Sequence, residues 1–225
     1  MSKTAWLAAV AAATLLPAAA QAQDTNGLSA GDKLFRVRAV LVTPLERSSD
    51  VLPAFPGEEV KITDSVMPEI DFTYMVTDNI GLELIAATTK HKAKGKTGTT
   101  GSLGTLASTW VLPPTLTVNY HFNAKGKVRP YVGAGLNYTI FYSEDASGAL
   151  EDAVGPTKVH LSDSFGPALQ AGVDIDVSPR MFVNLDAKWI DMDTTARLDT
   201  TAIGAQKVRV HLDPLVLGVG VGWRL

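Results

Sequence analysis

The chain of 225 residues contains no cysteine. That excludes disulfides, thiol nucleophiles, cysteine-ligated metals and a lipidated N-terminal cysteine. Beyond residue 22 it also lacks any apolar run near the ~20 residues that a membrane-spanning helix needs. Positive charge is not in excess either. Taking Lys3 of the leader from the 20 basic residues leaves 19 against 23 acidic ones, a balance of −4, and no nucleic-acid partner is expected. His91, His121, His160 and His211 include no pair at metal-ligand spacing, and no phosphate-cradling glycine loop opens a helix. Neither metal nor cofactor is therefore expected. Yet mean hydropathy is +0.12, high for an exported chain without a spanning helix.

What is present starts with a leader. The segment "MSKTAWLAAVAAATLLPAAAQA" has a basic head at Lys3, an apolar run from Ala5 to Leu16, then Pro17 and a small-residue site at Ala20-Gln21-Ala22. These are the marks of a secretory signal peptide. Residues 1–22 are read as that peptide and residues 23–225 as one exported domain.

Period-two alternation follows. In "KLFRVRAVLVT", Phe35, Val37, Ala39 and Leu41 share one face, opposite Arg36 and Arg38. The pattern recurs in "EIDFTYMVT", "GLELIAATT", "TLTVNYHF", "VRPYVGAGLNYTIFY", "SFGPALQAGVDIDV", "MFVNLDAKWIDMD" and "KVRVHLDPLVLGVGVGWRL", giving eight strands. The last changes phase around Pro214, where a bulge is expected. Connections alternate in length. The segments at 77–79, 123–127 and 178–180 are tight and polar, whereas 44–68, 90–114, 143–160 and 194–206 are long, rich in Gly, Ser, Thr and Pro, and read as loops.

The fold class expected is all-β: an eight-stranded antiparallel up-and-down transmembrane β-barrel with short periplasmic turns and long extracellular loops. Lipid offers no water to an open sheet edge, so the ring must close. A soluble lipocalin-like barrel would read the same alternation inside out; the glycine-lined faces and unequal connections fit the membrane form better. Tyr74, Tyr138, Tyr142, Trp189 and Trp223 are candidates for the interfacial aromatic girdles.

The segments "MVTDNIGLELIAATTKHK", "LPPTLTVNYHFNAKGKVRPYVGAGLNYTIFY", "FGPALQAGVDIDV" and "WIDMDTTA", with the ending "GVGWRL", resemble the outer membrane protein W (OmpW) family over nearly the whole exported part. The resemblance implies a Gram-negative outer-membrane location and a narrow, rather apolar interior that passes small hydrophobic molecules. Family members usually end on Phe, which the outer-membrane assembly machinery reads. Here the chain ends on Leu225, with Trp223 two residues earlier.

Parity and strand direction sort the interior, which in an eight-stranded barrel holds side chains or one small ligand. Arg36, Arg38, Glu83, Arg129, Asp174, Asp186 and Arg224 should form a plug of ion pairs in the periplasmic half. Met75, Ile85, Ala87, Tyr131, Phe141, Ile190 and Met192 should line an apolar pocket above it, with Lys188 among them. A hydrocarbon could not cross the plug, so a lateral exit near Pro167 or Pro214 is expected. The leading function is passive uptake of small hydrophobic solutes. The alternatives are a structural or receptor barrel with a closed lumen, whose loops bind bacteriocins, phage or host factors, and a lipid-modifying enzyme drawing on His160, Ser162, Asp163 and Ser164. The cluster "KHKAKGK" (90–96) could meet lipopolysaccharide phosphates or be a solvated charge run.

Overall fold

The computed structural model describes residues 27–225; the leader expected at 1–22 lies outside the described residues. In chain order the strands are β1 (Lys33–Thr43), β2 (Arg47–Ser48), β3 (Val60–Ile62), β4 (Ser65–Met75), β5 (Ile80–Ala87), β6 (Thr89–Gly95), β7 (Thr105–Leu112) and β8 (Thr115–His121). They continue with β9 (Val128–Ala146), β10 (Thr157–Leu161), β11 (Ser164–Asp176), β12 (Met181–Ile190), β13 (Asp193–Thr200), β14 (Gly204–His211) and β15 (Leu215–Arg224). Two short helices, α1 (Gly98–Leu103) and α2 (Gly148–Val154), interrupt the sequence of strands.

Eight of these strands close an antiparallel barrel in the order β1, β4, β5, β8, β9, β11, β12, β15 and back to β1. Each matches one alternating segment of the sequence. Tight turns join β4 to β5, β8 to β9 and β11 to β12 at one end. In the first of these, Thr77 Oγ1 accepts from the amides of Asn79 and Ile80, at 3.3 and 2.9 Å, closing the turn with its own side chain.

The burial is inverted relative to a soluble domain. Outward Val219 is 53% exposed while inward Arg36 is 0% exposed. Such a surface is stable only where the surroundings are themselves apolar, which makes acyl chains the solvent of the barrel wall.

The glycines of β15 have a packing reason. A Cβ on Gly220 would collide with Arg38, one on Gly222 with Phe182, and one on Gly218 would meet Arg38 Cδ at 3.4 Å. The bare backbone on that face is the space in which the two arginines of β1 lie.

The long connections are corrected from loops to structure. β3, β6, β7 and the upper part of β9 form one wall above the barrel, and β10, β13, β14 and β2 form a second. Ser147 caps α2 by accepting from Leu150 N at 3.1 Å, and Glu58 accepts from the first amides of α1, Thr99 and Thr100, at 2.9 and 2.7 Å. Between the walls lies an apolar core that includes Val60, Leu106, Phe141, Leu198, Val208 and Val210.

The eighth alternating segment is divided into β14 and β15, with Asp213 at φ 37° between them. Parity nonetheless runs through the break, with Val208, Val210, Leu212, Pro214 and Val216 all buried. What changes at Pro214 is which face carries charge, because the outer surroundings change from lipid to water.

Candidate functional site

The interior has three tiers. At the turn end, Leu28, Leu34, Met75, Ala124 and Phe182 form a small apolar cluster. Beside it Arg129 pairs with Asp176 at 2.5 Å, and Arg224 approaches the same carboxylate at 3.8 Å while donating to Pro179 O at 3.0 Å. Arg36 and Arg129 both face the ring of Phe182, at 5.3 and 5.5 Å from its centroid.

The middle tier is a buried ionic cage. Arg36 on β1 reaches Asp71 on the neighbouring β4 at 2.8 Å and Asp174 on β11, across the bore, at 2.9 Å. Arg38 holds Glu69, Asp71 and Glu83 at 2.8, 2.7 and 3.1 Å, and Lys188 holds Asp186 and Glu69 at 2.6 and 2.9 Å. Three cations thus face five carboxylates. Neutral donors supply further bonds: Tyr131 OH donates to Asp186, Gln170 Nε2 to Glu83 and Asn184 Nδ2 to Asp174, each at 2.8 Å. Charges removed from water are costly unless paired, and each cation of the cage meets at least two carboxylates. The interior of an eight-stranded barrel is just wide enough for such side chains to fill it.

The top tier is a cavity of about 120 Å³ between the two walls, lined mostly by apolar side chains with threonines and a few charged groups among them. Ile85, Ala87, Phe141, Ile190 and Met192 line it, and Lys188 and Glu69 form its floor. Two expected members lie elsewhere. Met75 belongs to the turn-end cluster, because β4 descends and Met75 is its last residue. Tyr131 stands three residues into the ascending β9 and is absorbed by the cage.

Of the charges expected in the plug, Arg36, Arg38, Glu83, Asp174 and Asp186 come together, whereas Arg129 and Arg224 form the separate turn-end group. Glu69 and Asp71, though on the inward face of β4, were not among the residues expected; both became legible only through the register that sets Arg36 opposite Asp71 and Arg38 opposite Glu69. Most of the cavity wall was also missed. Its signal was present as alternation in "ARLDT" and "KVRVHL", with the apolar face turned inward instead of outward.

Outside, Trp223 stacks on Phe35 at 6.1 Å near the turn end, on the level of Tyr74. Tyr138, Tyr142 and Trp189 face outward toward the other end, where Tyr142 stacks on Trp110 at 6.4 Å.

The wall has one rung without amide donors. Thr43 pairs with Leu215 in the last rung of β1 on β15, and the residues flanking it, Pro44 and Pro214, lack amide donors and are both buried against the cavity. The next bond joins Leu45 N to Leu212 O at 2.9 Å. Pro167 differs: it faces outward within an uninterrupted ladder, opposite Leu136, and its carbonyl accepts from Asp191 N at 2.9 Å. The residues of the possible triad are engaged apart. Asp163 accepts from Tyr138 OH at 2.8 Å, Ser162 Oγ from Thr195 N at 2.9 Å, and Ser164 Oγ from Asp193 N at 2.9 Å.

Residues 29–225 match the model of the OmpW family. The chain is 38% identical to Outer membrane protein W of Escherichia coli (strain K12) over 221 residues, 97% of each chain. It is 34% identical over 170 residues to the dibenzothiophene metabolism operon protein PahQ of Pseudomonas aeruginosa, covering 74% of this chain and 75% of that one. The crystal structure of the outer membrane protein OprG from Pseudomonas aeruginosa superposes with a TM-score of 0.82 at 31% identity, covering 89% of this chain and 98% of that one.

Proposed function

The chain belongs to the OmpW family of outer-membrane β-barrels, and from that premise we propose that it admits small hydrophobic molecules passively and releases them sideways into the bilayer. The observation that carries this reading is the apolar cavity standing on an ionic floor. An apolar solute entering from outside leaves water at a gain of about 2.5 kcal/mol per 100 Å² buried. The axial route below is disfavoured, because passage would separate paired charges already stripped of water, a cost of several kcal/mol. The Pro44–Pro214 rung offers a shorter way, since no ladder bond has to break there. A relative named for dibenzothiophene metabolism points to the same class of apolar aromatic solute. No catalytic step enters this reading, and β15, with Trp223 near its end, is the strand that the assembly machinery would engage.

A reversible lock tests it. The native chain has no cysteine, so Pro44→Cys with Pro214→Cys places one disulfide across the rung. Oxidised protein in liposomes or cells should lose uptake of a hydrophobic fluorescent probe, and a reductant should restore it. Undiminished uptake when oxidised would overturn the lateral exit. Undiminished uptake in Phe141→Asp would overturn the pocket, and intact uptake in a null strain that has lost phage or bacteriocin sensitivity would favour the receptor barrel with a closed lumen.

A further inference from the structure

The outer face of the first wall carries a ladder of lysines. Along β6, Lys90, Lys92 and Lys94 all point outward, alternating with His91 and Ala93, and Lys61 on β3 stands directly opposite Lys94. Among the described residues, no carboxylate lies within ion-pair distance of Lys61, Lys90, Lys92 or Lys94. On the second wall two cations are paired, Arg197 with Asp199 at 3.0 Å and Arg47 with Asp213 at 3.4 Å, while Lys158 stands opposite Asp199 and Lys207 opposite Arg197. Like charges directly opposed on one face of an antiparallel pair destabilise it. The Lys61–Lys94 rung is thus unfavourable until an anion bridges it. Higher on the same pair of strands, Glu59 is already engaged by Lys96 at 3.0 Å.

The ladder also has a fixed height. Lys90 lies over the ring of Trp110, 5.6 Å from its centroid, and Trp110 stacks on Tyr142 in the upper aromatic girdle. Aromatic girdles sit at headgroup level. From Lys90 to Lys94 the strand rises ~13 Å, or roughly 10 Å along the membrane normal after tilt. The headgroup zone of a phospholipid leaflet is only ~5–8 Å deep. Cations beginning at the girdle and continuing above that zone match a headgroup with phosphates at more than one height. The geometry points to Lys61, Lys92 and Lys94, with Lys90 at the base, as a binding site for a phosphorylated glycolipid of the outer leaflet. Its acyl chains would pack on the barrel below.

The test uses the folded full-length barrel in detergent and native mass spectrometry, with three probes: lipid A bearing phosphorylated core sugars, the same lipid dephosphorylated, and phosphatidylglycerol. The phosphorylated glycolipid should bind about tenfold or more tightly than either other probe, as expected where several lysines act together at a membrane surface. The triple variant K61Q/K92Q/K94Q should lose that preference, and K61R/K92R/K94R should keep it. Heat-modifiable gel mobility reports folding of both variants. Equal affinity for the three probes, or a preference unchanged in the glutamine variant, would overturn the assignment. So would a soluble sulfated oligosaccharide without acyl chains that displaces the glycolipid at equal concentration, since the site would then serve a free polyanion.

Discussion

The lower barrel and the extension above it share strands and parity but invert their chemistry. On β12 and β13 the inward residues run from Asp186 and Lys188 to Ile190, Met192, Ala196 and Leu198, and the outward ones from Leu185 and Trp189 to Asp193, Arg197 and Asp199. β5 and β6 repeat this, from Glu83 inside and Leu84 outside to Ala93 inside and Lys92 outside. The same backbone device serves two solvents. In acyl chains the wall must be oily and polarity gathers within; in water the wall is charged and the interior apolar. The junction puts an apolar cavity directly on an ionic floor.

The comparison breaks most severely at the cage. Arg36→Met leaves Asp174 buried without a cation and Asp71 with Arg38 alone, and the barrel should lose about 3–5 kcal/mol in denaturant unfolding. Next comes the outer face. Val219 lies midway between the girdle residue Trp223 and the rung of Leu215, so Val219→Arg should cost about 2–4 kcal/mol. Ala205→Arg on the outward face of the extension, opposite Asp199, should change stability by less than about 0.5 kcal/mol in the same assay.

A smaller, local effect is expected from Val208→Asp, which puts a charge among the apolar residues of the extension. Hydrogen exchange should show lost protection in β13 and β14 while β11 and β12 keep theirs. A uniform loss would show that extension and barrel unfold as one unit.

The smallest effect is a pH dependence confined to the extension. His91 is buried beneath the first wall, its Nδ1–H donating to Thr63 O at 2.6 Å and its Nε2 accepting from Thr89 Oγ1 at 3.0 Å. Burial holds its pKa below the ordinary histidine value, so the folded form prefers the neutral ring. That contribution is complete above the unfolded pKa of ~6.5 and is lost as pH falls through the folded value. Exchange protection of β3 and β6 should therefore weaken on acidification, and His91→Gln should flatten the profile.

Most of the barrel was legible because alternation needs no knowledge of partners. Each apolar row, from Val37 to Leu217, marks a strand and its outward side. The charged rows marked the lumen, although the pairing of Arg36 with Asp174 across the bore required the closed ring. Met75 and Tyr131 went astray because parity gives the side of a strand but not the height on it. The extension was hidden because its strands carry Thr, Lys and Arg outward, the composition of a loop in water.

The sequence alone determined the strand count of the barrel, the inward parity and the oily belt, since these follow from the residues of single strands. Only the tertiary structure decided which charges meet, at what height each stands, and that the outer segments stand as walls around a cavity. The reason is physical. Side-chain alternation is local, whereas ion pairing and enclosure depend on register and ring closure between residues far apart in the chain.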